Sequence, residues 1–226
     1  MHLRRALTAE AIGTFALVFA GTLAIIVDDT SGGAVSHVGV ALVFGLVVLA
    51  MIQAFGDVSG AHFNPAVSLA FVFAGRFPAR RLVPYWTAQF VAAVAASACA
   101  RLLFPLHPTL GATLTSDPWS QAFALEVVFS FFLMLVILSV SSGSRERGLL
   151  AGIAIGSTVA FGALCAGPIS GASMNPARSF GPAIASGRLE NLWLYFAAPA
   201  LGMLLSVPAC RLTQAAGCCG GARRGV

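Results

Sequence analysis

The side chains in this sequence that are able to do chemistry are few, and most come in pairs. Ser59-Gly-Ala-His-Phe-Asn-Pro-Ala-Val-Ser68 and Ser170-Gly-Ala-Ser-Met-Asn-Pro-Ala-Arg-Ser179 agree at seven of ten positions and lie 111 residues apart throughout. Repetition at a fixed offset points to a duplicated unit. In each copy the Asn reads as a helix N-cap and the Pro as the first helical residue, because Pro lacks the N–H that would go unpaired there. Asn64 with Pro65 and Ala66, and Asn175 with Pro176 and Ala177, are therefore the starts of two helices. As a cap, the side-chain oxygen of each Asn accepts from its own helix, which leaves the NH2 free to donate to a passing oxygen. Such a group holds a neutral molecule and breaks no bond.

Arg178 follows the second box at the place where Val67 follows the first. An arginine at membrane depth is costly and marks a pathway or a paired site. Glu10 and Glu126 also stand inside apolar stretches, in matching contexts: Glu10, Thr14 and Phe15 in one, Glu126, Ser130 and Phe131 in the other. A proton relay is one reading of such acids; their equal placement in a repeat favours a structural one. His62, two residues before Asn64, faces the inner end of the path, whereas His2, His37 and His107 fall in tails or loops without a pattern. No nucleophile has a base partner and no H-E-x-x-H cluster is present, so the chain does not read as an enzyme. The five cysteines have no metal-ligand spacing, and an odd number argues against a complete disulfide framework. Cys99, Cys165 and Cys210 read as small core residues. Cys218 and Cys219 belong to a tail, with a soft-metal or thiol-reactive role as the alternative. No metal or cofactor is expected.

The elements that must position these groups follow from length. The apolar runs after the boxes, 65–74 and 176–186, cover about 15 Å at 1.5 Å per residue, half of a hydrocarbon core about 30 Å thick. Neither spans alone, and backbone that turns at membrane depth must be buried in protein or line a watery cavity. Six further apolar runs are long enough to cross, at about 7–27, 35–55, 82–104, 119–140, 149–167 and 191–212. With 58% hydrophobic and 9% charged residues and a mean hydropathy of +0.89, the chain is an integral membrane protein. The reading is an all-α membrane protein of six transmembrane helices plus two half-spanning re-entrant helices, built as an inverted repeat. Residues 1–226 form one domain, with repeat 1 at about 7–104, repeat 2 at about 119–212 and a short tail at 213–226. Three spans and a half-span per unit invert the second unit, so the two box helices point at each other.

The net charge of +5 does not indicate a nucleic acid, because the arginines flank apolar runs and no basic helix occurs. They read as topology signals: with both termini cytoplasmic, ten arginines fall inside, among them Arg76, Arg80, Arg81, Arg145, Arg147, Arg223 and Arg224, and only Arg101 and Arg188 outside. Asp28, Asp29, Asp117 and Glu190 fall on the outer side. Each half-helix brings about +0.5 charge at its N-terminus, so two converging ends oppose cations and protons but not a neutral solute.

Paired Asn-Pro-Ala boxes, the second running on into Asn-Pro-Ala-Arg-Ser, resemble the aquaporin (major intrinsic protein) family over nearly the whole chain. The resemblance implies a passive channel for water and small uncharged solutes in the plasma membrane, assembled as a homotetramer in the lipid bilayer. It places Phe44, Ala163, Ala172 and Arg178 in an outer aromatic/arginine selectivity filter. It also gives Glu10 and Glu126 to the backbone N–H groups of the box loops. Strict water channels usually carry His where Ala163 stands, and losing the imidazole widens the opening. Ser179, where glycerol facilitators typically carry Asp, and the short loops favour the water-channel branch. Ala163, Ala172 and the second box resemble the nodulin-26-like and bacterial branch, which passes glycerol, boric acid or arsenous acid. An ion-coupled secondary transporter also uses inverted repeats and broken helices, but no ion-coordinating cluster accompanies the half-helices here.

Overall fold

The computed structural model describes residues 2–116, 118–141 and 150–214. Asp117, Arg145, Arg147, Arg223, Arg224, Cys218 and Cys219, read above as topology signals or tail residues, lie outside the described residues.

The apolar runs fold as helices because in lipid a backbone N–H or C=O has only its own segment to pair with. In chain order these are α1 (Leu3–Thr30), α2 (Ser36–Ser59), α3 (Pro65–Phe73), α4 (Leu82–Leu103), α5 (Trp119–Val140), α6 (Ala151–Ser170), α7 (Pro176–Ser186) and α8 (Leu194–Thr213). Six are long and apolar enough to cross a membrane. The other two, α3 with 9 residues and α7 with 11, are the half-helices. Helix ends overrun the apolar runs: α1 starts at Leu3 and continues through Asp28 and Asp29, and α2 continues through Asp57 to Ser59. Both helices that lead into a box stop at a left-handed glycine, Gly60 (φ 88°) after α2 and Gly171 (φ 75°) after α6, a conformation only glycine adopts without cost.

Contacts between elements follow the repeat. α1 packs on α2 and α4, as α5 packs on α6 and α8, and α2 crosses α6 between the two units. The half-helices are exchanged: α3 lies against α8 and α7 against α4. At the α2–α6 crossing the backbones touch. A Cβ on Gly45 would come 2.6 Å from the carbonyl oxygen of Gly156, and one on Gly156 would come 2.6 Å from that of Gly45. Small residues permit such approach where lipid offers no hydrophobic drive between helices.

Large side chains such as Leu46, Phe73, Val91 and Leu102 are exposed, as a surface facing acyl chains requires. Cys210 is buried and Cys99 partly so, but Cys165 is exposed, against the core reading. It shares the outward stripe of α6 with Phe161, Leu164 and Pro168, the spacing of one helical face. His37 is likewise not a loop residue: it sits in the first turn of α2, with Nε2 2.8 Å from the carbonyl of Leu164.

Candidate pore and filter

Each box asparagine is extended at φ −154° and caps its half-helix: Asn64 Oδ1 accepts from Ala66 N and Val67 N, Asn175 Oδ1 from Ala177 N and Arg178 N. The NH2 groups, expected from the sequence to be free, are each partly engaged. Asn64 Nδ2 donates to Met174 O at 2.7 Å, and Asn175 Nδ2 donates to Phe63 O at 2.8 Å. The two boxes thus clasp each other reciprocally, and that clasp takes one of the two hydrogens of each NH2.

The loops are shaped by the two acids. Glu10 Oε1 accepts from Ser59 Oγ and His62 N, and Oε2 from Phe63 N and Gln89 Nε2. Glu126 Oε1 accepts from Ser170 Oγ and Ser173 N, and Oε2 from Met174 N. Both carboxylates are buried, and backbone N–H groups turned toward them hold Phe63 (φ 48°) and Met174 (φ 50°) in left-handed geometry. With the N–H groups drawn inward, the loop from Gly60 to Asn64 lines the cavity.

That cavity has a volume of about 990 Å³. Along α2 the lining residues run from Ser59 to Phe44, about 22 Å of helix. Asp57, Arg76 and Arg81 stand at one end of this lining, His62 and the two asparagines between, and Phe44, Ala172 and Arg178 belong to the same wall. Ala163 is buried and is not part of the lining; it continues the α6 stripe Ala151, Ile155 and Val159, one turn beyond the last of these that reaches the cavity. His62 packs among Phe71, Phe77 and Tyr85, its Nδ1 2.9 Å from Ser68 Oγ.

Arg178 is 1% exposed, so it does not snorkel to an interface. Its Nη1 donates to Gly111 O at 2.9 Å, and its Cζ sits 4.9 Å from the centre of the Phe44 ring, a cation–π contact. Its buried Nε has no acceptor among the described residues. Phe44 fits because Gly21 leaves room: a Cβ there would meet the ring at 2.1 Å.

The model of the family described as "Major intrinsic protein" matches residues 1–208. This chain belongs to the major intrinsic protein family. Aquaporin NIP1-1 of Zea mays is 46% identical over 195 residues, covering 86% of this chain and 69% of that protein. Nodulin-26 of Glycine max is 42% identical over 199 residues, covering 88% and 73%. Among solved structures, the aquaglyceroporin from Plasmodium falciparum is similar in fold, with a TM-score of 0.79 at 24% identity, over 93% of this chain and all of that one. This member of the family is a passive channel for water and small solutes and not an enzyme.

Major intrinsic protein membership leaves several supporting residues that the sequence reading missed. Tyr85 and Tyr195 donate to Ser59 O and Ser170 O, pinning the two helix ends that precede the boxes. Ser68 and Ser179 brace the box loops, Ser179 through Ser173 and Thr113. The serines obey the repeat offset of 111 residues and the tyrosines, 110 apart, fall one short of it, so both pairs were open to discovery on that ground. His107 and Gly111 have no such twin.

Proposed function

We propose that this channel conducts water together with neutral solutes larger than water, of the polyol or trihydroxy-acid class: glycerol, boric acid or arsenous acid. The observation that carries the reading is a buried arginine whose Nε has no acceptor among the described residues, set against the face of Phe44 in a cavity wall it shares with alanine at 172. A solute with several hydroxyls satisfies that donor and the asparagine NH2 groups, and its apolar edge lies on Phe44 and the methyl groups. Cations are opposed by Arg178 and by the N-termini of α3 and α7, and an anion meets an otherwise apolar wall. The relatives named aquaporin NIP and nodulin-26 support the same branch. The strict water-channel reading rested on Ser179 and the short loops, yet the Ser179 hydroxyl is fully buried, bonded to Thr113 and Ser173, and Ser179 does not itself line the cavity, so it is a weak guide to the solute.

The same reading takes Glu10 and Glu126 as scaffold, the protein as a homotetramer, and the plasma membrane as its site with both termini cytoplasmic, in keeping with the arginine bias. Water, glycerol and arsenous acid fluxes measured by light scattering and uptake in one proteoliposome preparation test the solute. Water conduction without measurable glycerol or metalloid flux overturns it.

A further inference from the structure

Among the described residues one carbonyl, that of Gly111, accepts from the Arg178 guanidinium, and that carbonyl is itself held by an unusual turn. Gly111 (φ 69°) follows Leu110, which is fully buried at φ 52°, a conformation a leucine keeps only when its surroundings impose it. The imposing contact is His107. Its Nδ1 lies 3.0 Å from Leu110 N, and since a backbone N–H only donates, Nδ1 is the unprotonated acceptor. The ring proton is therefore on Nε2, which faces Asp29 Oδ2 at 3.3 Å. The side chain of His107 is 4% exposed and that of Asp29 57%, so the pair closes the turn at its solvent edge.

The rest of the turn is fixed from elsewhere. Arg101 of α4 donates to Pro105 O, His107 O and Ala185 O. Thr22 of α1 blocks any movement of Gly111 toward α1, because even a Cβ on the glycine would come 3.0 Å from its Cα. Among the described residues, the charged groups that meet the His107 ring and backbone are thus Asp29 from α1 and Arg101 from α4. Asp28, beside Asp29, is engaged by Val35 N and Ser36 N.

We propose that His107 is a positioning residue for the filter and that its protonation closes the channel. A proton added at Nδ1 sets N–H against N–H at Leu110, which abolishes that bond, and the new charge draws the ring toward Asp29. Leu110 leaves its left-handed conformation, Gly111 O moves off Nη1, and the guanidinium, now tied only to the face of Phe44, falls across the opening. The inference rests on Arg178 standing in the solute path, and one variant below tests that part separately. Water is the readout, so the outcome does not depend on which larger solute the channel takes.

The experiment is stopped-flow water permeability of proteoliposomes, with the same pH inside and out, stepped from about pH 8 to about pH 5, the range in which histidine changes charge. Wild-type permeability falls about fivefold on acidification, the equivalent of one net hydrogen bond. His107→Asn keeps an acceptor for Leu110 N but has nothing to protonate, so it matches wild type at high pH and stays open at low pH. Asp29→Asn removes the anion that welcomes the proton and moves the transition to lower pH. Arg178→Ala conducts without a pH step. A flat wild-type profile overturns the proposal, as does a His107→Asn channel that keeps the wild-type profile. An Arg178→Ala channel with an undiminished pH step places the gate elsewhere and overturns it as well.

Discussion

A guanidinium removed from water, braced on one carbonyl and one aromatic face, leaves the opening beside it to be set by whichever small side chains share its level. Ala172 lines the cavity with it and Ala163 lies one turn past the last lining residue of α6, so restoring a ring at 163 narrows the passage. Ala163→His is expected to cut glycerol and arsenous acid flux at least tenfold, about 1.4 kcal/mol of added barrier, while sparing most water flux; equal loss of both counts against the filter reading. The acids act differently. Glu10→Gln and Glu126→Gln replace acceptors by groups that bring N–H toward N–H, each losing charge-assisted bonds worth about 1.5 to 3 kcal/mol. Thermal unfolding in detergent is expected to shift downward in both, without making flux follow a proton gradient. At this scale the caps were readable from Asn-Pro alone, because capping is local. That half of each NH2 is spent on the opposite loop was not, because the acceptors Met174 O and Phe63 O come from the other repeat. The turn at His107 was illegible for a further reason: its geometry depends on Asp29, 78 residues earlier in the chain.

Between elements, contact is made by backbone more than by side chain. The Gly45–Gly156 crossing leaves no room for a methyl group, while a Cβ on Gly56, in the same helix α2, meets nothing within 4 Å. Gly156→Ala is therefore expected to lower the unfolding midpoint by the equivalent of about 1 to 3 kcal/mol, the usual cost of overpacking. Gly56→Ala is expected to be neutral or to gain up to about 1 kcal/mol from helix propensity. Circular dichroism melts of the two variants in one detergent compare them directly. Hydropathy located all six crossing helices, since apolar length is what the bilayer selects, and the Asn-Pro caps with the short apolar runs behind them located both half-helices. It missed their ends, such as the two aspartates carried on α1, because backbone hydrogen bonding continues past the hydrocarbon edge. The exchange of half-helices between α4 and α8 also left no trace in any single window of sequence.

For the molecule as a whole, apolar exposure on the outer faces of the helices fits lipid and neighbouring copies alike. Solution scattering with detergent contrast matching is expected to give a particle of four times the 23.2 kDa chain mass; a monomer or dimer contradicts the tetramer. The inverted repeat was legible because both boxes and both acids are duplicated with little change, whereas His62 against Ser173 and Gln89 against Pro199 show where the halves have diverged. The reciprocal clasp of the asparagines has a bearing on how the protein is made. During synthesis Asn64 enters the membrane some 110 residues before Met174, the carbonyl it must find. Until then α3 has neither that acceptor nor α8 to lie against, so the first half stays provisional while the second is translated. Maturation is then one late event, in which both half-helices lock together as the last span arrives, and a chain truncated before α8 leaves the first repeat as unfinished as the second.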